Sequence, residues 1–351
     1  ADTTPGAKID ATGMIVTPGF LDVHTHGGGG FNLHTAAPDE ILEYARWAPS
    51  TGVTSFLIGV VGIPDALPDA QLRAAVAALR AWRDGAEPLG IHLEGPYISV
   101  ARRGAHLPSW LRTPTDEEVA RILALTDGTL RLVTLAPELP GAAPLIRRLV
   151  DEGITASMGH TDATYEQARE AIALGVTHLT HSYNAMRPLH HRDPGPLGAV
   201  AEAPQVRAEL IADGVHVHPA TMRILVRALG PERTIIITDA QAVAGIGDTT
   251  FEFAGQPAQV LCGAARLADG TLTGSVLTMD QALRNVLAMT GVSLAEAVGM
   301  LSINPARAAS AAARKGCLQA GFDADLLLFD AALTLHATIC RGRLAYATPA
   351  W

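Results

Sequence analysis

The chain has 351 residues and a formal net charge of -9, an acidic balance that excludes a general binder of nucleic acid or of anionic membranes. With 48% hydrophobic and 17% charged residues it reads as globular, with ample apolar surface for a barrel-sized core. No run reaches membrane-span length, and residues 1–20 lack a signal-peptide apolar segment. The three scattered cysteines (Cys262, Cys317, Cys340) suit neither a disulfide framework nor a cysteine zinc site, so a reducing cytoplasm is the expected setting.

In chain order, the apolar run 20–23 predicts a strand that ends on His24-Thr25-His26 and a glycine run, Gly27 to Gly30. Period-two geometry places His24 and His26 on one face, an arrangement that suits a transition metal such as zinc. Helix spacing over 38–50 is followed by a buried strand at 53–59 and an Ala-rich helix at 69–82. The alternation continues with strand 88–94, helix 116–125, strand 130–136, helix 142–152, strand 154–159 and helix 165–174. Strand 176–181 then leads into a long loop rich in Pro and His, and strand 207–213, helix 218–229 and strand 233–239 follow.

Eight apolar strands within about 220 residues, most followed by a helix, predict an α/β fold of the (β/α)8 TIM-like barrel type rather than an open doubly wound sheet. The glycines after His26 lack the spacing of a dinucleotide fingerprint. Residues 1–17 and 306–351 carry short strand-and-turn patterns. They predict a small β-sandwich-like domain built from both chain termini and incomplete on its N-terminal side, with the barrel over 18–305.

Catalytic groups of such barrels lie at the C-terminal strand ends. Those ends carry His24 and His26, Glu94, His160, His181, Asp213 with His216 just beyond, and Asp239. Thirteen histidines could fall anywhere, and five or more fall here, which favours a metal-assisted hydrolytic centre. Blander roles compete. Glu94 can simply hydrogen-bond its following turn, and His160 can pair with the cap residues Thr161 and Asp162. His178 and His181 lie on opposite faces, so only one points inward; His178 is assigned to packing or solvent. His92 suits a hydrogen-bonded core position one layer below Glu94, and Asp239 is either a turn former or a general base. His34, His190, His191 and His336 read as surface or loop residues.

A family resemblance rests on an ordered set of motifs. These are Pro18-Gly-Phe-Leu-Asp-Val-His-Thr-His26, Leu93-Glu-Gly-Pro96, Gly104-Ala-His106, Gly159-His-Thr161, and the run Thr177 to Met186 with Ser182-Tyr-Asn-Ala-Met186. Asp213-Gly-Val-His216, Ile237-Thr-Asp-Ala240 and Leu272-Thr-Gly-Ser275 complete the set. The chain resembles the N-acetylglucosamine-6-phosphate deacetylases of the amidohydrolase superfamily over nearly its whole length. Many two-metal amidohydrolases bridge their ions with a carboxylated lysine. Only Lys8 and Lys315 are present here, both outside the predicted barrel, so Glu94 is left as the acidic ligand and dihydroorotase-like readings weaken.

The resemblance implies metal-dependent removal of an acetyl group from an amino-sugar 6-phosphate, giving acetate and glucosamine 6-phosphate. Glu94, His160 and His181 match the main metal ligands, and His24 and His26 match a second metal position. The ion implied is divalent, zinc first, with iron, manganese or cobalt as alternatives. Asp239 matches the catalytic acid/base and His106 the residue near the acetyl carbonyl. Ala105, Asn184, Ala185, Asp213, His216 and the segment Leu272, Thr273 and Gly274 match substrate-binding positions. Arg192 matches an arginine that reaches the sugar phosphate of the neighbouring subunit, which implies a homodimer. The segments 31–34 and 57–62 depart from the family pattern and are expected at the mouth of the site. Competing functions are another amidohydrolase acting on an N-acyl or cyclic amide, and a non-catalytic sugar-phosphate sensor.

Overall fold

The computed structural model describes residues 9–253 and 255–349. Eight parallel strands form the barrel in chain order: Phe20–Asp22, Val53–Val61, Glu87–Glu94, Leu130–Leu135, Thr155–Met158, His178–Leu179, Arg207–Ile211 and Thr234–Ile237. We refer to them as barrel strands one to eight. Strand two is buried at all nine residues and strand eight at all four, which explains their near-continuous apolar sequences: both faces are covered. Helices such as Asp69–Ala81, Ala142–Asp151 and Pro219–Leu229 pack their apolar stripes around the outside.

Local chemistry sets the helix starts. Thr164 and Gln167 form a reciprocal capping box ahead of helix Tyr165–Ala173, the Thr115 hydroxyl accepts the Glu118 N–H, and Pro219 follows the cap residue His218. Strand six is shorter than the expected 176–181. At His181 φ is +26°, so the chain leaves the sheet there and turns the imidazole inward.

Ladder pairing runs from strand one to strand eight without joining those two to each other. The seam closes just beyond them. The Asp239 N–H donates to the His24 carbonyl at 2.8 Å, the His26 N–H to the Ala240 carbonyl at 2.8 Å, and the Thr238 hydroxyl to Asp22 at 2.5 Å.

Both ends of the chain meet in a four-stranded antiparallel sheet of Ile15–Pro18, Leu326–Phe329, Leu335–Cys340 and Arg343–Ala347. Lys315 anchors the segment before it: its buried ammonium lies 2.7 Å from Glu87 at the start of strand three, 2.7 Å from Asp325 and 3.0 Å from Asp323. Lys8 lies outside the described residues. Sequence periodicity gave no sign of a three-stranded antiparallel sheet after strand eight (Thr249–Phe253, Gln256–Leu261, Ala264–Leu267). Helices Met279–Thr290, Leu294–Leu301 and Ile303–Ala308 were likewise not anticipated.

Candidate active site

The strand ends deliver their polar residues to one point. Glu94 closes strand three, and its Oε1 lies 3.1 Å from His160 Nε2, 3.3 Å from His181 Nε2 and 3.3 Å from His24 Nε2. Its Oε2 lies 3.1 Å from His26 Nε2 and 3.7 Å from His106 Nε2. Asp239 Oδ1 is 3.2 Å from His26 Nε2 and 3.5 Å from His24 Nε2. Two groups with metal-binding spacing result, Glu94 with His160 and His181, and His24 with His26 and Asp239. Backbone geometry contributes: His160, Ala185 and Asp239 have φ of +46°, +47° and +49°, a region non-glycine residues avoid unless the surroundings enforce it.

Hydrogen bonds fix how the imidazoles face. His160 Nδ1 lies 2.9 Å from the Arg102 carbonyl, an acceptor only, so Nδ1 carries the proton and Nε2 offers a lone pair to the cluster. His24 Nδ1 is 2.9 Å from Glu209, which leaves His24 Nε2 buried and without a hydrogen-bond partner among the described residues. His160 and His181 bring their Nε2 atoms to 3.0 Å of one another. Two lone-pair donors at that distance, with carboxylates on either side, are complementary to a divalent cation, and the donor set of imidazoles and carboxylates fits one.

The electrostatics call for positive charge at the cluster: burial opposes it, yet the carboxylates of Glu94, Glu209 and Asp239 push His24 above its ordinary range and those of Asp239 and Glu94 push His26 up, a charge that a bound cation would supply instead. Burial pushes the Glu94 carboxyl up, but the His24 charge and hydrogen bonds with His106, His160 and His181 outweigh it, holding Glu94 well below the usual carboxylate range. Asp239 is held low too: burial opposes ionisation, and His24 and the His26 hydrogen bond prevail. His106 is depressed, chiefly by burial, and is therefore a neutral imidazole beside the cluster.

Glu209 is a residue that sequence reasoning missed. It lies in strand seven, fully buried, where its carboxylate receives His24 Nδ1 at 2.9 Å, His178 Nε2 at 2.9 Å and the His181 N–H at 3.0 Å. His178 is accordingly a buried partner of Glu209 and not solvated. His92 is a core residue bonded to Thr134 at 2.9 Å, as expected. His34, read as a surface or loop residue, lies in a loop and is half-buried there. It lines the cavity, its Nδ1 accepts the Val61 N–H at 3.2 Å, and burial lowers it to about 4.

Above the cluster opens a cavity of about 610 Å³, within the range of small-molecule sites. Ala105, His106, Asn184, Ala185, His216, Leu272, Thr273 and Gly274 all line it. So do Asn32, His34, Val61 and Gly62, which places the two atypical segments at the mouth. The loop carrying Leu272–Gly274 is tied to strand eight: the Ser275 N–H donates to the Asp239 carbonyl at 2.8 Å. Gly274 has φ of +79°, and a Cβ there would fall 2.7 Å from that same carbonyl oxygen. Asp213 accepts the His216 ring at 2.6 Å and stands behind it, outside the cavity lining. The Asn184 amide donates to its own loop, at the His181 and Ser182 carbonyls. Arg192 is exposed on a turn and does not line its own chain's cavity.

The amidohydrolase family profile matches residues 15–347. N-acetylglucosamine-6-phosphate deacetylase from Bacillus subtilis (strain 168) is 39% identical over 339 residues, covering 95% of this chain and 85% of the relative. N-acetylgalactosamine-6-phosphate deacetylase from Escherichia coli O157:H7 is 38% identical over 341 residues, covering 97% and 90%. Among solved structures, N-acetyl-D-glucosamine-6-phosphate deacetylase from Mycobacterium smegmatis superposes with a TM-score of 0.90 at 40% identity, covering 95% of this chain and 88% of that one. Barrel, ligand cluster and full-length similarity agree: this chain belongs to the amidohydrolase family.

Proposed function

We propose that this chain hydrolyses the N-acetyl group of N-acetylglucosamine 6-phosphate, releasing acetate and glucosamine 6-phosphate. The observation that carries this is the convergence of Glu94, His160, His181, His24, His26 and Asp239 at the floor of a sugar-sized cavity. A divalent ion, zinc by the donor set, would be held by these side chains and would supply Lewis-acid activation of water and of the amide carbonyl. Asp239, ionised at neutral pH, takes the proton of the attacking water. A C–O bond forms as the amide C–N bond breaks, and Asp239 returns the proton to the leaving nitrogen. Neutral His106 donates a hydrogen bond to the carbonyl oxygen as charge develops on it. His216, oriented by Asp213, and the segment Leu272–Gly274 position the sugar.

No Lys or Arg is among the described residues that line this cavity. The phosphate therefore takes its cation from elsewhere. An exposed Arg192 reaching in from a second copy of the chain meets that need and supports a homodimer with shared sites. No described helix is long and apolar enough to cross a membrane, and the three cysteines are unpaired; both are compatible with a cytoplasmic setting.

A second substrate, the 4-epimer N-acetylgalactosamine 6-phosphate, is favoured by the Escherichia coli relative. Acetate release from both sugar phosphates, with metal content measured on the same preparation, tests the assignment. Asp239→Asn should cut turnover by about 10²–10⁴-fold while leaving substrate binding intact. Near-native turnover in that variant would refute the role of Asp239.

A further inference from the structure

A second cavity of about 560 Å³ lies at the opposite end of strand three from Glu94. The segment just before that strand (Trp82, Arg83, Asp84), Arg46 from helix Pro38–Trp47, and the last hairpin of the terminal sheet (Arg341, Arg343) wall it. Four of its ten lining residues are arginines and one is acidic, in a chain whose net charge is -9. Asp84 is already engaged by Arg46 at 3.3 Å, so it offsets none of the other three.

Arg341 and Arg343 stand out. Arg343 is exposed and has no side-chain hydrogen bond or ion pair among the described residues. Arg341 lies over the Trp82 ring at 5.8 Å and only 3.9–4.0 Å from Asp323 and Glu87. Those carboxylates are held more closely by Lys315, at 3.0 and 2.7 Å. The Trp82 indole nitrogen is buried and lacks a hydrogen-bond acceptor among the described residues. The unpaired fork of Arg343, the loosely paired fork of Arg341 and an unused N–H around one concavity are complementary to a compact dianion with several acceptor oxygens.

We propose that this cavity is a binding site for a phosphate-bearing small molecule, with Arg341 and Arg343 gripping the phosphate. The geometry sets it apart from the catalytic cavity, since the two share no lining residue. Occupancy would tie the terminal hairpin to the barrel beside the first residues of strand three.

The test uses the full-length, metal-loaded protein labelled with 5-fluorotryptophan, its Trp82 resonance identified through Trp82→Phe. Titration with inorganic phosphate at constant ionic strength should shift that resonance saturably. Arg343→Ala, an exposed position whose loss leaves the fold intact, should weaken binding roughly tenfold, and Arg341→Ala with Arg343→Ala should abolish it. Both variants should keep the deacetylation rate. Arg192→Ala should leave the Trp82 response unchanged, which separates this site from phosphate held at the active site. A resonance that drifts linearly without saturating, an undiminished response in the double variant, or acetate binding as tightly as phosphate would each overturn the proposal.

Discussion

Glu209 offers the sharpest test of how the proposed metal centre is held. Its carboxylate receives three donors, the His24 and His178 rings and the His181 N–H. Burial alone would neutralise it, yet the His24 charge and the hydrogen bonds from His178 and His24 hold it well below the usual carboxylate range, so it is ionised. Removing all three bonds would cost roughly 4.5–9 kcal/mol at about 1.5–3 kcal/mol each, enough to confuse lost function with lost folding. Glu209→Gln avoids this. Both the His24 and His181 bonds fall on Oε2, so a Gln carbonyl placed there keeps both, and its amide meets His178 once that ring switches tautomer.

What Gln removes is the charge that makes His24 a stronger donor. Loss of such an outer carboxylate typically costs 10–100-fold in metal affinity, about 1.4–2.7 kcal/mol. Glu209 touches the His24 ring but only the backbone of His181, so the loss should fall on the ion at His24, His26 and Asp239. The group of Glu94, His160 and His181 should keep its ion. Competition with a chelator, read as metal per chain against free metal, measures both. Equal affinities in Glu209→Gln and the unaltered protein, with unchanged stoichiometry, would refute the reasoning.

Arg192→Ala should raise the Michaelis constant for the 6-phosphate about 10–100-fold with little effect on unphosphorylated sugar. Mixing Arg192→Ala with Asp239→Asn chains should restore activity, because one site of each mixed dimer regains both groups; no recovery would count against the shared site. Gly59→Ala should destabilise the protein by about 1–3 kcal/mol and lower its metal content, since a Cβ there falls 2.1 Å from the Thr25 carbonyl and 2.9 Å from His26 Nδ1. Urea midpoints and metal analysis report the two effects. Lys315→Met should cost about 3–5 kcal/mol near neutral pH by leaving the carboxylates of Glu87, Asp323 and Asp325 without their buried cation. The pH dependence has a defined sign. In the folded protein Glu87 and Asp323 lie below their ordinary 4.5 and 3.8, with burial outweighed by Arg314 and Lys315, whereas Lys315 lies above 10.5, with burial outweighed by Asp325 and Glu87. The stabilisation is therefore full between those limits. It fades as pH falls below 4.5 through the folded carboxylate values, and again as pH rises through the folded lysine value. Denaturant unfolding across pH should show the gap between the two proteins closing in acid.

The barrel and the cluster of polar residues at its strand ends were legible because both follow from simple patterns. Strands covered on both faces are continuous apolar runs, and a polar residue ending such a run stands out, as His24, Glu94, His160, His181 and Asp239 do. Glu209 did not stand out because strand seven was read as core. The signal was present, for an acid inside Arg207–Ile211 has to be paired to be buried there. His34 was hidden for another reason: its place in the cavity depends on the loop from His26 folding back so that Val61 meets its ring, a long-range contact that local periodicity does not encode. The sheet spanning Thr249–Leu267 has short strands with largely exposed alternate residues, joined at Gly255 and Gly263 by turns of positive φ; such a pattern is easily read as loop. Arg192 shows the limit of a single chain, since nothing among the described residues around it indicates what it serves.

The seam between strands one and eight carries a further consequence. His24 and His26 belong to one lip of that opening and Asp239 to the other, and only a few hydrogen bonds close it. An ion shared by those three side chains would act as a clasp on a split ring, so whatever free energy it gained on binding would also be withheld from opening of the barrel at that point. Stripping the metal should therefore speed amide exchange first at Asp239 and His26, before the laddered strands two to seven respond. In this fold, the candidate site and the joint that closes the barrel are the same few residues.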